Sequence, residues 1–223
     1  MMDRIPEEEL MDEEDQAKAY AFADFSKPHN LFIKLFQEKF TDLDVIFNDI
    51  VLDLGCGPCD ITRRFANAYP DASFHAADGA AAMLKYAVEL NEQTNLSHRI
   101  KLFETRLPDI ELSQSFYHVI ISNSLLHHLH DPNVLWETIK KHAKPFAHIF
   151  VMDLMRPVDE QTVQFLSNEY AANEPELLKN DFENSLRAAF TTKEVRQQLD
   201  EMSLGHLQVE EVSDRHMIIY GAI

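Results

Sequence analysis

Glycine, cysteine and cations are all scarce in this sequence: five glycines, two cysteines and 20 lysines and arginines against 38 acids in 223 residues. Each shortage excludes something. Cys56 and Cys59 cannot supply a disulfide framework or four zinc thiolates. Their C-x-x-C spacing suits a redox pair or half a metal site, but both fall inside a glycine-containing loop that explains them better. A net charge of −18 repels a duplex or tRNA backbone. The densest cations, Lys140, Lys141 and Lys144 with His142, read as one helix face, not a nucleic-acid stripe. Nucleic acid is therefore not an expected partner, and an anionic membrane surface is disfavoured for the same reason. No apolar run approaches the ~20 residues that span a bilayer, so membrane insertion is not expected. The acidic stretch Met1–Asp15 lacks the basic start and apolar core of a signal peptide, which points to a cytoplasmic chain; a monomer or a homodimer is the separate expectation for its assembly.

What is present suits a globular fold: 45% hydrophobic and 26% charged residues allow a sizeable core. Helical patterns cover Asp15–Asp24 and His29–Phe40, the second placing Leu31, Phe32, Leu35, Phe36 and Phe40 on one face. From Asp49 to Asp153, predicted strands Ile50–Leu54, Ser73–Asp78, Ile100–Glu104, Val119–Asn123 and His148–Asp153 alternate with helices Asp60–Tyr69, Ala80–Gln93 and Pro132–Ala143. Such alternation argues for a parallel sheet covered on both faces. The tail reads as helices Asp159–Ala172 and Glu174–Phe190, a helix Glu194–Met202 capped by Thr192, and strands Leu207–Val212 and Arg215–Tyr220.

With glycine so rare, Val51-Leu52-Asp53-Leu54-Gly55-Cys56-Gly57-Pro58-Cys59-Asp60 stands out. An apolar strand runs into an acid, two glycines and a helix start. Glycines let a ligand approach the backbone, and the helix offers free N–H groups and a positive dipole end. A dinucleotide loop would place a third glycine where Asp60 stands, and would not place an acid at Asp53. Asp78 ends the next strand about 20 positions past Gly57, the spacing of a ribose-binding acid. A third segment, Leu102-Phe103-Glu104-Thr105-Arg106-Leu107-Pro108-Asp109, and a fourth, Val119 through Asn123-Ser124-Leu125-Leu126-His127-His128-Leu129-His130-Asp131-Pro132, follow in register.

The D-x-G-x-G form and these companions resemble the class I S-adenosylmethionine-dependent methyltransferases. Within that class they are nearest the small-molecule enzymes of the ubiquinone and menaquinone biosynthesis group. The resemblance covers Asp49 to Pro157. It implies a Rossmann-like, doubly wound seven-stranded sheet, mostly parallel with an antiparallel last strand, helices on both faces and an N-terminal helical lid. One domain, 1–223, would comprise a lid (1–44), a cofactor-binding core (45–157) and substrate-side helices with the final strands (158–223). The implied cofactor is S-adenosylmethionine, held by Asp53, Gly55, Cys56, Gly57, Asp78, Gly79, Met83, Thr105, Asn123 and Ser124. Asp53 would attract the amino group of its methionine end. Gly79 departs from the family, which often places a larger apolar residue there against adenine, and no acid stands in register before Leu107-Pro108, so Glu104, the Thr105 hydroxyl or backbone would substitute.

The resemblance also implies methyl transfer to a small-molecule acceptor. His128, Arg156 and Tyr20 are the expected catalytic residues: Arg156, after the fifth strand, should project into the crevice and hold an anionic acceptor. Tyr20 and Asp24, one helical turn apart, share a face. Asn184, Ser185, Arg187 and Phe190 are placed to close the pocket, while Arg215 and His216 read as structural. The irregular spacing of His127, His128 and His130 in a segment that resembles a metal-free motif gives no expectation of a metal. Three alternatives stay open: an RNA methyltransferase, a non-catalytic S-adenosylmethionine-binding module, and a nucleotide-dependent oxidoreductase, which Asp60 argues against.

Overall fold

Seven segments, most of them rich in apolar and β-branched residues, pair into one sheet in the computed structural model, which describes residues 2–41, 49–112 and 116–223. They are β1 (Ile50–Leu54), β2 (Ser73–Asp78), β3 (Ile100–Glu104), β4 (Tyr117–Asn123), β5 (Ala143–Leu154), β6 (Gln208–Glu211) and β7 (His216–Ala222). The order is β3-β2-β1-β4-β5-β7-β6. β1 to β5 pair in parallel, and β7 lies antiparallel to both β5 and β6, so the last strand alone runs against the rest. Strand order reverses between β1 and β4, and their C-terminal ends open a crevice there.

Alternate residues of each central strand feed opposite cores. Val51, Ile121 and Phe150 join α2 (Ser26–Lys39), α3 (Asp60–Ala68) and α4 (Ala81–Gln93) on one face through Phe32, Phe36, Phe65 and Leu84. Leu52, Ile120 and Val151 join α5 (Asn133–His142) and α8 (Thr192–Glu201) on the other through Trp136, Ile139 and Leu199. Phe36 meets Phe65 edge-on with centroids 4.7 Å apart, and Phe32 meets Phe150 likewise at 4.9 Å, geometries that suit aromatic quadrupoles.

Above the crevice lie α1 (Glu14–Phe22), α6 (Glu160–Tyr170) and α7 (Glu176–Ala188). Ala17 of α1 packs on Ala80, Met83 and Tyr86. The segment before α1 has no regular structure but is pinned: Arg4 donates to the carbonyls of Ala188, His127 and Leu129 and stacks over Phe190. No helix among the described residues is long and apolar enough to cross a membrane.

Several local expectations are corrected. β5 begins at Ala143, so Lys144 lies in a strand and does not share the α5 face with Lys140 and Lys141. Thr191, not Thr192, caps α8, because Glu194 stands three residues on and closes a capping box. α1 stops at Phe22, so Asp24 leaves the helix and accepts a bond from the Ser26 N–H instead. The expected lid–core boundary at 44/45 lies outside the described residues.

Candidate active site

β1 delivers Asp53 to the sheet's C-terminal edge, where it is 1% exposed and accepts a hydrogen bond from the Thr62 hydroxyl at 2.5 Å. Burial pushes its carboxyl up to about 7. The chain then turns through Gly55 (φ +72°) and Gly57 (φ +50°). A Cβ at Gly55 would strike Leu125 at 2.8 Å, whereas one at Gly57 would meet no atom within 4 Å. Gly55 is thus required by packing, and Gly57 presents bare backbone to open space. The Gly57 N–H donates to Asp78 Oδ2 at 2.7 Å, and the Ala80 N–H to Oδ1 at 2.8 Å. Burial raises the Asp78 carboxyl, opposed by these backbone bonds. Cys56 and Cys59 are free and buried, and burial pushes the Cys56 thiol well up, which disfavours the reactive thiolate.

Asp60 opens α3 and bonds His29 Nδ1 at 2.5 Å and Arg64 Nε at 2.8 Å. Burial opposes ionisation there, but these partners hold the carboxyl well below its usual range. At Gly79 a Cβ would come within 2.9 Å of Arg106 Cγ and of Leu10 Cδ2, so those two side chains fill the space a larger residue would take. The Thr105 hydroxyl donates to the Asp109 carbonyl and accepts from the Glu111 N–H, so it is used within its own loop. Asn123 Nδ2 donates to the Ser124 hydroxyl at 3.1 Å.

One cavity of about 810 Å³ connects these groups. Asp53, Gly55, Cys56, Gly57, Asp78, Gly79, Met83, Thr105, Asn123 and Ser124 line it, as do Tyr20 and His128. It is also lined by residues outside the four motif segments, including Phe25 between α1 and α2, Tyr170 of α6 and Leu178 and Phe182 of α7. The Tyr20 ring lies 4.7 Å from that of Phe25, and burial raises its hydroxyl to about 12. Asp24 and Ser185 also line the cavity, and so do Arg215 and His216, which the sequence assigned to structure.

Arg156 is not among the lining residues, and this overturns its expected projection into the crevice. Beyond β5 the chain bridges to Phe190, and the guanidinium turns toward α8, 8% exposed. It donates to the carbonyls of Met2 and Ala189 and to Glu194 Oε1 at 2.6 Å. Arg156 ties the tail to the sheet. Phe190 is likewise a core residue, and Asn184 and Arg187 line a separate cavity of about 460 Å³.

A buried dyad near the end of β5 carries no sequence signal. Asp153 Oδ1 lies 2.5 Å from His127 Nδ1, and Asp153 Oδ2 accepts from the Leu126 N–H. Burial opposes charge on both, yet their mutual attraction raises the His127 pKa and lowers that of Asp153. Burial and the neighbouring His127 push His128 down to about 3, leaving a neutral imidazole. Glu7, from the pinned N-terminal segment, approaches both histidines, and burial raises its carboxyl.

Residues 51–146 match the methyltransferase domain family. A curated relative, malonyl-(acyl-carrier protein) O-methyltransferase of Bacillus cytotoxicus, is 32% identical over 92 residues, which is 41% of this chain and 30% of the relative; the match thus spans less than a third of that protein's length. A solved S-adenosylmethionine-dependent methyltransferase of Aquifex aeolicus superposes with a TM-score of 0.69 at 18% identity, covering 95% of this chain and 98% of that one. The plantazolicin methyltransferase BpumL, solved with S-adenosylhomocysteine and a desmethylplantazolicin analogue, gives 0.66 at 14% identity, covering 92% and 90%.

Proposed function

We propose that this chain, a class I S-adenosylmethionine-dependent methyltransferase by its domain and fold, transfers the methyl group of that cofactor to a small-molecule acceptor. The observation that carries this reading is the single cavity running from the bare backbone of Gly57 to the aromatic side chains of Phe25, Tyr170 and Phe182. About 810 Å³ lies in the upper half of the ~300–1,000 Å³ typical of ligand pockets and suits a cofactor and an acceptor side by side.

The residues present fit the cofactor. Asp78 has both oxygens fixed by backbone N–H groups, yet each retains a lone pair for a ribose hydroxyl. Asp53 offers a carboxylate to an ammonium group, and the Gly55–Gly57 turn takes a carboxylate at the start of α3. When bound, S-adenosylmethionine supplies an electrophilic methyl on its sulfonium. The protein's task is then to align a nucleophile and exclude water. α1 with Phe25 covers the cavity, Tyr20 donates a hydrogen bond, and neutral His128 offers the acceptor a further polar contact.

In this arrangement α1 with Phe25 forms the lid, the loops after β1, β2 and β4 hold the cofactor, and α6 and α7 shape the acceptor end of one domain. The named relatives act on malonyl-(acyl-carrier protein) and plantazolicin. Neither is a nucleic acid, and a net charge of −18 argues against RNA here as well. A cytoplasmic location and a monomeric or homodimeric state belong to the same proposal. Calorimetry with S-adenosylhomocysteine, followed by a screen of metabolite extracts for S-adenosylhomocysteine release, tests it. Saturable binding with turnover on a small acceptor supports it; binding without turnover on any extract favours the non-catalytic module.

A further inference from the structure

We infer that Glu7, His127 and His128 form a binding site for a divalent first-row transition-metal ion beside the main cavity. The three side chains each offer one ligand atom, and those atoms lie within 4.8 Å of one another, the one such group of His, Cys, Asp and Glu among the described residues. Glu7 Oε1 is 3.3 Å from His128 Nδ1 and 3.6 Å from His127 Nε2. Ligands held at ~2.0–2.2 Å from one ion stand about 3–3.5 Å apart, so small side-chain movements complete the site. Two imidazoles and a carboxylate suit zinc, cobalt, nickel or ferrous iron better than magnesium or calcium, which favour all-oxygen shells.

The surroundings match the chemistry of such a site. Asp153 Oδ1, 2.5 Å from His127 Nδ1, accepts a hydrogen bond from an Nδ1–H and leaves the Nε2 lone pair facing Glu7. A carboxylate behind a ligating histidine fixes the tautomer and raises the basicity of the ligand nitrogen. Asp153 is itself anchored by the Leu126 N–H at 2.8 Å and the Leu154 N–H at 2.7 Å, and Ser185 donates to Glu7 at 3.1 Å. The backing is therefore rigid. A metal ion satisfies both carboxylates and both rings at once.

The site also has an open side. His127 and His128 line the main cavity, while His128 and Glu7 line the smaller one, so free coordination positions face open cavity space. Asp181 borders both cavities, and its Oδ2 is buried without a hydrogen-bond partner, an acceptor that a metal-bound water or acceptor hydroxyl would satisfy. The irregular spacing of the histidines concealed the site in the sequence, because the third ligand arrives from the N-terminal segment. That the open side faces the acceptor rests on the proposed cofactor position; the metal site itself does not.

Tag-free protein stripped with chelator and titrated with Co²⁺, read by visible absorption, and with Zn²⁺, read by calorimetry, tests the inference with no cofactor present. One equivalent should bind per chain, and Glu7→Gln and His128→Asn should each weaken it at least tenfold while the far-UV spectrum stays native. Glu7→Gln is isosteric and keeps an oxygen for Ser185, so it guards against a fold defect. Absence of stoichiometric binding to wild-type protein, or wild-type affinity in both folded variants, overturns the site. S-adenosylhomocysteine binding to the wild-type protein is a separate readout; its failure would overturn the methyltransferase reading and leave the metal result standing.

Discussion

The backbone N–H of Gly57 and the carboxylate of Asp78 meet at 2.7 Å, which makes the first loop and the end of β2 one unit. Both glycines of that loop have positive φ, but only Gly55 is crowded, by Leu125. Gly57→Ala should therefore keep a native fold, at a cost of about 1 kcal/mol for its φ, yet lose S-adenosylhomocysteine affinity at least tenfold in calorimetry. Gly55→Ala should instead lower thermal stability through the clash with Leu125. Unchanged affinity in folded Gly57→Ala protein would remove that loop from the binding site.

Asp53 gives a pH signature. Its carboxyl is raised to about 7 by burial, so part of the population is protonated near neutrality in the free protein. A cofactor ammonium beside it favours the carboxylate and lowers that value. Binding should then release protons below about pH 7, and affinity should rise with pH up to that point and level off above it. Calorimetry in buffers of differing ionisation enthalpy reads the release directly. Proton uptake on binding would contradict the assignment.

Asp60 carries the opposite sign. Its folded-state pKa lies below the ordinary carboxylate value because of His29 and Arg64. Its stabilising contribution is thus complete above the unfolded pKa of about 3.9 and is lost as pH falls through the folded one. Asp60→Asn should be less stable than wild type by a constant margin from neutral pH to about pH 5, and the two should converge under more acidic conditions. Urea unfolding at a series of pH values measures this; a gap that widens on acidification would refute it.

Arg156 is expected to act on stability alone. Arg156→Ala removes a charge-assisted bond to Glu194 and two carbonyl contacts, and should cost about 1.5–3 kcal/mol in urea unfolding. S-adenosylhomocysteine affinity of the folded fraction should match wild type. A tenfold loss of affinity at unchanged stability would return Arg156 to the site.

The central fold was legible because its signals are local. Ile50-Val51-Leu52 and Val119-Ile120-Ile121 are continuous apolar runs that mark β1 and β4, although β4 starts two residues earlier, at Tyr117. The cofactor end was legible because glycine is rare and its spacing to Asp78 is set by one strand–helix–strand unit. The acceptor end was not. Phe182, Tyr170 and Glu7 reach the site through tertiary packing of α6, α7 and an irregular N-terminal segment, and none carries a spacing that announces it. Arg156 was misplaced because a strand's end predicts position, whereas the direction of the side chain depended on Glu194 and the turn to Phe190. The pairing of Asp153 with His127 joins the end of β5 to the turn that follows β4, neighbours only in the folded sheet.

A structure of the protein with S-adenosylhomocysteine tests the account most directly. The account predicts the ribose hydroxyls on the Asp78 carboxylate, the amino-acid end at the Gly55–Gly57 turn with its ammonium on Asp53, and the sulfur facing the end of the cavity formed by Tyr20, His128 and Phe182. Ligand bound outside this cavity, or lying in it with adenine against Asp53, would contradict it.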